Sequence, residues 1–389
     1  MTPGGSDAAP RTPVSWLDHL RDTRNRWLTS ERFQRWAARS TLARPIARRR
    51  ARDLFDLCAG FVYSQVLYAC VELDLFEHLS AGPLTLEELA GRTALEPAAA
   101  ARLLDAAVSL DLLERRPGSC YALGTLGAAL LGNPGIAAMV AHHAMLYQDL
   151  ADPVALLRQP GRATRLSEYW AYASRAKDAL DDGDVEPYTS LMAASQSFVA
   201  DDVLDAWPLT NYRCLLDVGG GDGTFVLKAA ARAPQLQLQL FDLPPVAERA
   251  RRRFAQAGVA DRAQAFGGSF FENPLPTGAD VATLIRVVHD HDDAAALRIL
   301  SALARALPRG GTLLLAEPMA DAPGAASVGD AYFGFYFLAM GQGRARTPAR
   351  LIELLREAGF RKARLVPTAR PLLVQLIAAQ EPVASVNKT

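Results

Sequence analysis

Apolar residues recur along this chain with two different periods, and the change of period divides it. From residue 55 to about 190 they follow the i, i+3, i+4 spacing of helices, as in "GFVYSQVLYACVELDLFEHL", which we expect to form a buried amphipathic helix. From about residue 205, short apolar runs alternate with helical segments. We therefore predict an N-terminal extension (residues 1–54), a helical domain (55–190) and an α/β domain (191–389).

The helical domain contains a winged helix-turn-helix pattern. "LTLEELAGRTALEPAAAARLLDAAVSLDLLERR" predicts two helices around a turn, and "PGSCYALGTLG" alternates like a small hairpin. The second helix carries a single basic residue, Arg102, so it is poorly equipped to read bases or to hold phosphates. We therefore predict a scaffold or dimerisation module rather than a DNA-binding domain.

The α/β domain alternates strands with helices. The strands "CLLDVGG", "LQLQLFDL", "DVATLIRVV" and "GTLLLAEP" are separated by helical segments such as "TFVLKAAARA", and "RKARLVPTARPLLVQLIAA" predicts a terminal antiparallel hairpin. This order is typical of a doubly wound, mostly parallel, Rossmann-like sheet. Its ligands should bind at the carboxyl ends of the strands.

Composition narrows the class of protein. Lysine plus arginine and aspartate plus glutamate both number 42, so the net charge of zero argues against nucleic-acid binding. The four cysteines are far apart, which indicates free thiols in the reducing cytoplasm. We find no signal peptide and no run of 18 apolar residues, so we expect no transmembrane helix.

The N-terminal extension places three tryptophans, Trp16, Trp27 and Trp36, among many arginines between residues 14 and 52. A basic amphipathic helix of this kind can lie peripherally on a membrane surface. The alternative is a helical arm that packs on its own domain or on a dimer partner.

The glycine loop in "LLDVGGGDGTF" follows a strand and opens a helix. Asp217 and Asp222 flank glycines that include Gly219 and Gly221, and no basic residue lies in the loop. These carboxylates would repel a pyrophosphate but attract S-adenosylmethionine, which carries a sulfonium and an ammonium. Asp242, at the end of the next strand, can accept hydrogen bonds from ribose hydroxyls. The motif therefore favours S-adenosylmethionine, with a nicotinamide dinucleotide as the alternative.

The stretch "RVVHDHDD", residues 286–293, joins a strand to a helix. Asp292 or Asp293 stands where a helix N-cap belongs. His289 and His291 lack a third ligand with suitable spacing, so we predict no metal site. His289 lies at the carboxyl end of its strand and is a candidate general base; the alternative is a packed histidine with satisfied hydrogen bonds.

The motifs "LLDVGGGDG", "FDLPPV", "GGSFFENPLP", "RVVHDHDD" and "LLLAEPM" occur in the order and spacing of a known family. Over residues 55–380 the chain resembles the dimeric small-molecule O-methyltransferases of the caffeate and acetylserotonin type. Segments such as "RPIARRRARDLFDLCAGFVYSQVLYACVELDLFEHL" are most similar to the hydroxycarotenoid O-methyltransferases of purple photosynthetic bacteria. The resemblance implies a homodimer that methylates the tertiary 1-hydroxyl of demethylspheroidene or hydroxyneurosporene in carotenoid biosynthesis.

The resemblance also implies residues that bind the cofactor. Gly219 and its neighbours would contact the methionine moiety, Asp242 and Leu243 the ribose, and Ser269 and Phe270 the adenine. Relatives carry an aspartate where this chain has Ser269, so the stacking ring of Phe270 is the part of the adenine site that carries over. Relatives of the plant type also carry a lysine where this chain has Ile285, and Arg286 is a candidate to take part of that role.

For catalysis the resemblance implies that His289 deprotonates the acceptor hydroxyl and that Glu317 orients its ring. The second acid of relatives is replaced by Ala345 in "GRART", so Asp290 is the candidate second partner. His291 replaces a tryptophan of the family motif.

The aromatic run "DAYFGFYFLAM", residues 330–340, falls where relatives line the acceptor site. We predict an apolar pocket from Phe333, Tyr336, Phe337, Met340 and, by resemblance, Met192; core packing is the alternative for these side chains. Two other functions stay open: an O-methyltransferase of a phenolic or polyketide acceptor, and a non-catalytic winged-helix regulator.

Overall fold

The computed structural model describes residues 16–169, 196–321 and 327–382. The predicted pocket residue Met192 and the predicted boundary at residue 190 therefore lie outside the described residues. The chain divides into two compact units, Met1–Ala69 and Cys70–Thr389.

The first unit is helical. Its described helices are Trp16–Thr29, Glu31–Arg39 and the start of a long helix, Arg44–Glu72. The predicted buried stretch, residues 60–79, is buried only in its second half in the single chain: Phe61 is 72% exposed, whereas Cys70 and Phe76 are fully buried. Leu57, just before this stretch, is 80% exposed. Exposed side chains of this kind form an apolar face that a second molecule can cover.

The same helix bears on the expectation that the chain has no transmembrane helix. Among the described residues, Arg44–Glu72 is long and apolar enough to cross a bilayer by length and composition. One such helix is weak evidence for a membrane span, since helices with other roles pass the same test.

The second unit opens with the predicted winged helix-turn-helix. Thr85 accepts a hydrogen bond from the Glu88 backbone and Glu88 returns one, so this reciprocal cap starts the first helix of the pair. The short strands β1 (Leu84–Thr85), β2 (Leu113–Arg116) and β3 (Cys120–Leu123) form an antiparallel sheet in the order β1-β3-β2. The helices of this part are Leu75–His78, Leu86–Thr93, Pro97–Ser109, Thr125–Leu131, Pro134–Asp149, Pro153–Arg158 and Arg165–Tyr169.

The α/β part confirms the predicted fold class. Its seven-stranded sheet has the order β6-β5-β4-β7-β8-β10-β9, and β10 runs antiparallel to both of its neighbours, β8 and β9, while the other neighbouring strands are parallel. The strands are β4 (Cys214–Val218), β5 (Gln237–Asp242), β6 (Ala263–Gly267), β7 (Val281–Ile285), β8 (Thr312–Glu317), β9 (Phe360–Val366) and β10 (Gln375–Pro382). The edge strand β6 was not predicted, since "AQAFG" is short and only weakly apolar.

Helices cover both faces of this sheet. Neighbouring residues of β4 show why: Leu215 packs in a hydrophobic cluster with Phe225 and Phe254, whereas Leu216 packs in another with Leu300. Successive side chains of a strand point to opposite faces, so a strand buried on both sides is continuously apolar. The helices are 196–206, Thr224–Arg232, Pro244–Gln256, Asp293–Ala306, Gly334–Met340 and Pro348–Glu357, with a 3-10 turn at Val288–Asp290 and a π-helix at Ser327–Phe333.

Candidate active site

The glycine loop lies where β4 ends, against the ends of β5 and β7. The amide of Gly219 donates to the carbonyl of Phe241 (2.8 Å), and the amide of Gly221 donates to the Asp242 carboxylate (2.8 Å). Gly219 has φ +68°, and a Cβ there would come within 2.6 Å of Val287 Cγ2. Glycine at 219 therefore lets the loop pack directly on the turn that carries His289.

Asp217 and Asp242 supply the negative potential of this loop. Asp217 is 2% exposed, and one oxygen accepts from the Thr283 hydroxyl (2.6 Å). Its other oxygen has no hydrogen-bond partner among the residues that the structure describes, and burial raises the pKa of Asp217 to about 7. Burial also raises the pKa of Asp242 to about 6. A buried carboxyl with an unpaired oxygen fits a cationic ligand, which would favour its ionised form.

Asp242 keeps the capacity to bind hydroxyls. Its two oxygens accept from the amides of Gly221 and Leu243 (2.8 and 2.7 Å). Each carboxylate oxygen has a second lone pair, so both can also accept hydrogen bonds from a ligand. Leu243 then begins the turn into the helix Pro244–Gln256.

Asp222 corrects the charge argument made from the sequence. Its carboxylate accepts from the Thr224 hydroxyl (2.7 Å) and forms an ion pair with Arg253, which lies on the helix Pro244–Gln256. Thus a cation does neutralise one of the two flanking acids. Asp217 and Asp242 are therefore the acids that attract a cationic ligand.

Ser269 and Phe270 follow β6, beside the end of β5. Ser269 is buried, its amide donates to Asn273 Oδ1 (2.9 Å), and its hydroxyl accepts from the Phe271 amide (3.2 Å). The ring of Phe270 meets the rings of Phe271 and His291 edge to face, at centroid distances of 4.7 and 5.6 Å. His291 thus belongs to an aromatic wall, and burial lowers the pKa of His291.

Glu317 shapes the turn that carries His289. One carboxylate oxygen accepts from the amides of Val287 (3.0 Å) and Val288 (2.7 Å), and the other is hydrogen-bonded to His289 Nδ1. Glu317 is 2% exposed, so these bonds form away from water. With Nδ1–H donating to Glu317, the Nε2 lone pair of His289 is left to accept a proton.

Asp290 is the second carboxylate at this histidine. Its Oδ1 lies 2.9 Å from His289 Nε2, but the two groups are not aligned for a hydrogen bond. Burial works against a charged imidazole, yet the carboxylates of Asp290 and Glu317 outweigh it and raise the pKa of His289 to about 10. The structure therefore brings together the three residues predicted for catalysis.

The helix start predicted after this turn is present. The carboxylate of Asp292 accepts from the Ala295 amide (2.7 Å), so Asp292 is the N-cap of Asp293–Ala306. Asp293 instead forms ion pairs with Arg344, Arg346 and Arg350.

The "GRART" segment braces the turn from the other side, a role that its sequence did not reveal. Arg346 is 4% exposed and donates to the carbonyls of Val288 (2.8 Å) and His291 (2.6 Å). Gly343 has φ +88°, and a Cβ there would overlap the carbonyl oxygen of His289. The available signal was an arginine three residues after a glycine in the short stretch "GQGRART".

An apolar cavity of about 340 Å³ opens beside His289. The predicted residues Phe333, Tyr336 and Phe337 line it, and the ring of Phe337 lies 5.1 Å from that of His289. Arg286 lines the same cavity. Met340 does not: it is buried in a hydrophobic cluster with residues such as Leu146, so core packing accounts for it.

The cavity has further lining residues, and all of them except Tyr332 lie outside the aromatic run 330–340 that the sequence connected with it. They are Asn133, Gly135, Ile136, Met139, Val140, His143, Phe198, Val199, Pro318, Val328, Tyr332, Leu372 and Leu373. Much of this set lies on or next to the helix Pro134–Asp149, whose apolar face was assigned only to the helical domain.

Two histidines of that helix hold the aromatic segment in place. His142 Nε2 is hydrogen-bonded to the Tyr336 hydroxyl (2.9 Å), and His143 Nε2 to the Tyr332 hydroxyl (2.7 Å). Burial lowers the pKa of His142 to about 4 and also lowers that of His143. Both rings are therefore neutral near pH 7.

The described part of the chain holds no group of three or more histidine, cysteine, aspartate or glutamate side chains arranged to bind a metal ion. The site instead combines the imidazole of His289 with the carboxylates of Glu317 and Asp290, beside the glycine loop and the apolar cavity. This arrangement can accept a proton from the hydroxyl group of a ligand.

Family models match both parts of the chain. An O-methyltransferase domain matches residues 147–361, and an O-methyltransferase dimerisation domain matches residues 55–133. The chain belongs to the O-methyltransferase family and is an S-adenosylmethionine-dependent O-methyltransferase.

Individual relatives sharpen this assignment. Demethylspheroidene O-methyltransferase of Cereibacter sphaeroides is 42% identical, with 91% of this chain and 93% of the relative covered. The enzyme of the same name from Rhodobacter capsulatus is 39% identical over 98% of this chain and 93% of its own. Human N-acetylserotonin methyltransferase, solved in complex with S-adenosylmethionine, superposes with a TM-score of 0.69 at 26% identity, covering 86% of this chain and 98% of that one.

Proposed function

We propose that the protein transfers a methyl group from S-adenosylmethionine to the tertiary 1-hydroxyl of an acyclic hydroxycarotenoid of the demethylspheroidene or hydroxyneurosporene type. The observation that carries the proposal is the apolar cavity that opens onto His289, with its ring held by Glu317. Its support from relatives is the similarity to two demethylspheroidene O-methyltransferases.

The cofactor would bind along the ends of β4, β5 and β6. Asp217 and the amides of the glycine loop would hold the cationic methionine end, Asp242 and Leu243 the ribose, and Ser269 and Phe270 the adenine. When bound, the cofactor supplies an electrophilic methyl group on a positively charged sulfur. Its charge would also oppose protonation of the nearby His289 and lower the pKa of that imidazole.

The acceptor would enter the cavity with its hydroxylated end only. A volume of about 340 Å³ is at the small end of the range of about 300–1,000 Å³ for ligand pockets. Leu372 and Leu373 line the cavity and are 48% and 41% exposed, so they offer apolar surface where a long hydrocarbon chain can leave it. An uncharged polyene suits these walls because burying apolar surface is favourable.

In the reaction, the carbon–oxygen bond would form as the carbon–sulfur bond breaks, and the hydroxyl proton would move to His289 Nε2. Glu317 would stabilise the imidazolium that results. A tertiary alcohol is too weakly acidic to ionise beforehand, so proton removal should accompany methyl transfer. Much of the acceleration would come from alignment of the oxygen with the methyl group in a cleft that excludes water.

Two copies of the chain form the working unit in this proposal. The dimerisation domain matches residues 55–133, and the exposed apolar side chains of the helix Arg44–Glu72 provide a face that a partner can cover. The proposal includes three parts of the chain: an N-terminal extension (1–54), a dimerisation domain (55–190) and a methyltransferase domain (191–389).

The proposal also includes peripheral contact of the N-terminal extension with a membrane. Trp16, Trp27 and Trp36 are 69%, 62% and 58% exposed, and Arg48 and Arg49 lie on the same unit. A protein of the cytoplasm could use this surface to reach a membrane-dissolved acceptor. Deleting residues 1–50 should weaken binding to anionic liposomes while leaving cofactor affinity intact; unchanged liposome binding would count against the contact.

The direct test of function is methyl transfer from a labelled donor. The wild type should methylate hydroxycarotenoids faster than phenols of comparable size, and His289→Ala should lose this activity. Faster methylation of the phenols would favour the phenolic or polyketide alternative. Absence of turnover with every acceptor, together with binding to DNA, would favour the regulator.

A further inference from the structure

Removal of the hydroxyl proton is the difficult part of the proposed reaction. A simple alcohol is about as weak an acid as water, with a pKa of about 15.7. His289 can accept the proton, but it does nothing for the negative charge that grows on the acceptor oxygen. The two carboxylates around His289 make the region less favourable for such charge. Besides the sulfonium of the cofactor, a positively charged hydrogen-bond donor on the acceptor side would therefore lower the barrier.

Arg286 is placed to be that donor. It lines the cavity together with His289, three residues away, while most of the wall is apolar, with residues such as Ile136, Met139, Val328 and Leu373. Arginine is a rare lining residue for an apolar cavity, because removing a guanidinium from water is costly.

The backbone at Arg286 supports a role beyond packing. Arg286 has φ +58°, a left-handed conformation that side chains other than glycine seldom adopt. Its amide donates to the carbonyl of Ala316 (2.8 Å), in the strand that carries Glu317. Such strained positions cluster at functional sites, where the surrounding structure holds them. The strain here directs one long cationic side chain from the end of β7 to the cavity.

The charge of Arg286 affects Tyr332, an aromatic residue that lines the cavity. Burial raises the pKa of the Tyr332 phenol well above its usual value, and the guanidinium of Arg286 opposes that rise. Tyr332 is itself hydrogen-bonded to His143 (2.7 Å) and lines the cavity. The positive charge therefore acts within the acceptor cavity.

We propose that Arg286 is a catalytic residue whose guanidinium donates a hydrogen bond to the acceptor oxygen while His289 removes its proton. This inference rests on the proposed function and replaces the expectation that Arg286 binds the cofactor. In the step, the O–H bond breaks toward His289 Nε2, the new O–CH3 bond forms, and the S–CH3 bond breaks to leave a neutral thioether. The guanidinium keeps its protons and stabilises the transient charge on oxygen.

The test compares acceptors of different acidity with Arg286→Met, Arg286→Lys and the matched surface variant Arg305→Met. A phenol can lose its proton to His289 without such help, so the need for Arg286 should be greatest for the tertiary alcohol. We expect Arg286→Met to lower kcat by about 10²–10³-fold on the tertiary alcohol and by less than about tenfold on a phenol that carries a similar apolar tail. Arg286→Lys should recover part of the loss, and Arg305→Met should match the wild type.

Binding of S-adenosylhomocysteine, measured by calorimetry, should be the same in the wild type and in Arg286→Met, which also shows that the variant is folded. Equal losses on the alcohol and the phenol would overturn the inference. A loss of affinity for S-adenosylhomocysteine would overturn it too, by returning Arg286 to the cofactor. A wild type that is inactive on the alcohol but active on the phenol would instead overturn the proposed function and this inference with it.

Discussion

Three histidines in or beside one cavity fall into two groups with opposite changes in pKa. His289 and His143 both line it, and His142 lies beside His143 on the helix Pro134–Asp149. At His289 two carboxylates overcome the effect of burial and raise the pKa to about 10. His142 and His143 have tyrosine hydroxyls as partners, and burial lowers their pKa values. Neighbouring charge, more than burial, decides which histidine carries a proton.

The two groups should also affect stability with opposite dependence on pH. The pKa of His289 is raised above its ordinary 6.5, so its contribution to stability is complete below pH 6.5 and is lost as the pH rises toward 10. The pKa of His142 is lowered, so above pH 6.5 its ring is neutral in both the folded and the unfolded state and does not change the stability. As the pH falls toward 4, the unfolded state binds a proton that the folded state does not, and stability is lost. Four predictions test this contrast, from the largest expected effect to the smallest.

His289→Ala should cause the largest change. Loss of a positioned general base lowers kcat by about 10²–10⁴-fold. Affinity for S-adenosylhomocysteine should be unchanged, since the glycine loop and Asp242 are intact. His143 lines the same cavity but accepts no proton in the proposed reaction. The variant His143→Gln should therefore keep kcat within about tenfold of the wild type. Similar losses in both variants, measured by transfer of labelled methyl, would mean that the two histidines are not functionally distinct.

Glu317→Gln should lower kcat by at least about 10²-fold, because a carboxylate that fixes the tautomer of a catalytic histidine is lost. The glutamine carbonyl can still accept from the Val287 and Val288 amides, so the turn should stay folded. Its amide group, however, donates to Nδ1 and places the ring proton on Nε2. A circular dichroism spectrum like that of the wild type would serve as the control, and unchanged kcat would argue that Glu317 only braces the turn.

Asp290→Asn should move the pH dependence of kcat/KM. The carboxylate of Asp290 raises the pKa of His289, so its removal should lower that pKa and move the rising limb of the profile to lower pH. At a pH below the limb, lowering this pKa by about one should raise kcat/KM about tenfold, because the fraction of neutral imidazole rises by that factor. A limb that stays in place would show that Asp290 does not control the charge of His289. His291→Gln is a useful comparison, because His291 lies in the aromatic wall.

His142→Gln should change stability rather than catalysis. A drop in pKa from 6.5 to about 4 corresponds to about 3 kcal/mol of stability lost at low pH. Urea unfolding at pH 7 and pH 4.5 should therefore show a smaller difference for the variant than for the wild type. His19→Gln, at an exposed site on the helix Trp16–Thr29, should retain the full difference. If both variants behave alike, the protonation of His142 is not coupled to folding.

The sequence predicted the part of the site that local chemistry defines. The glycine loop and His289 follow strands and Asp242 ends one, and the carboxyl ends of parallel strands meet at one edge of a sheet. The cap at Asp292 was also predictable, since it depends on residues three positions apart. Contacts between distant segments were not: Arg253 reaches Asp222 across 31 residues, and Arg346 reaches Val288 across 58.

The apolar periodicity by itself determined the fold class, because strands and helices bury their side chains at different intervals and each interval is visible over a few residues. Periodicity could not show whether an apolar helix is covered by its own chain, and so it predicted burial for Phe61, which is 72% exposed. Only the tertiary structure decided which helix lines the acceptor cavity, which acid meets a cation, and which histidine is charged. These properties depend on distances between residues far apart in sequence, and packing and Coulomb energies change steeply with such distances.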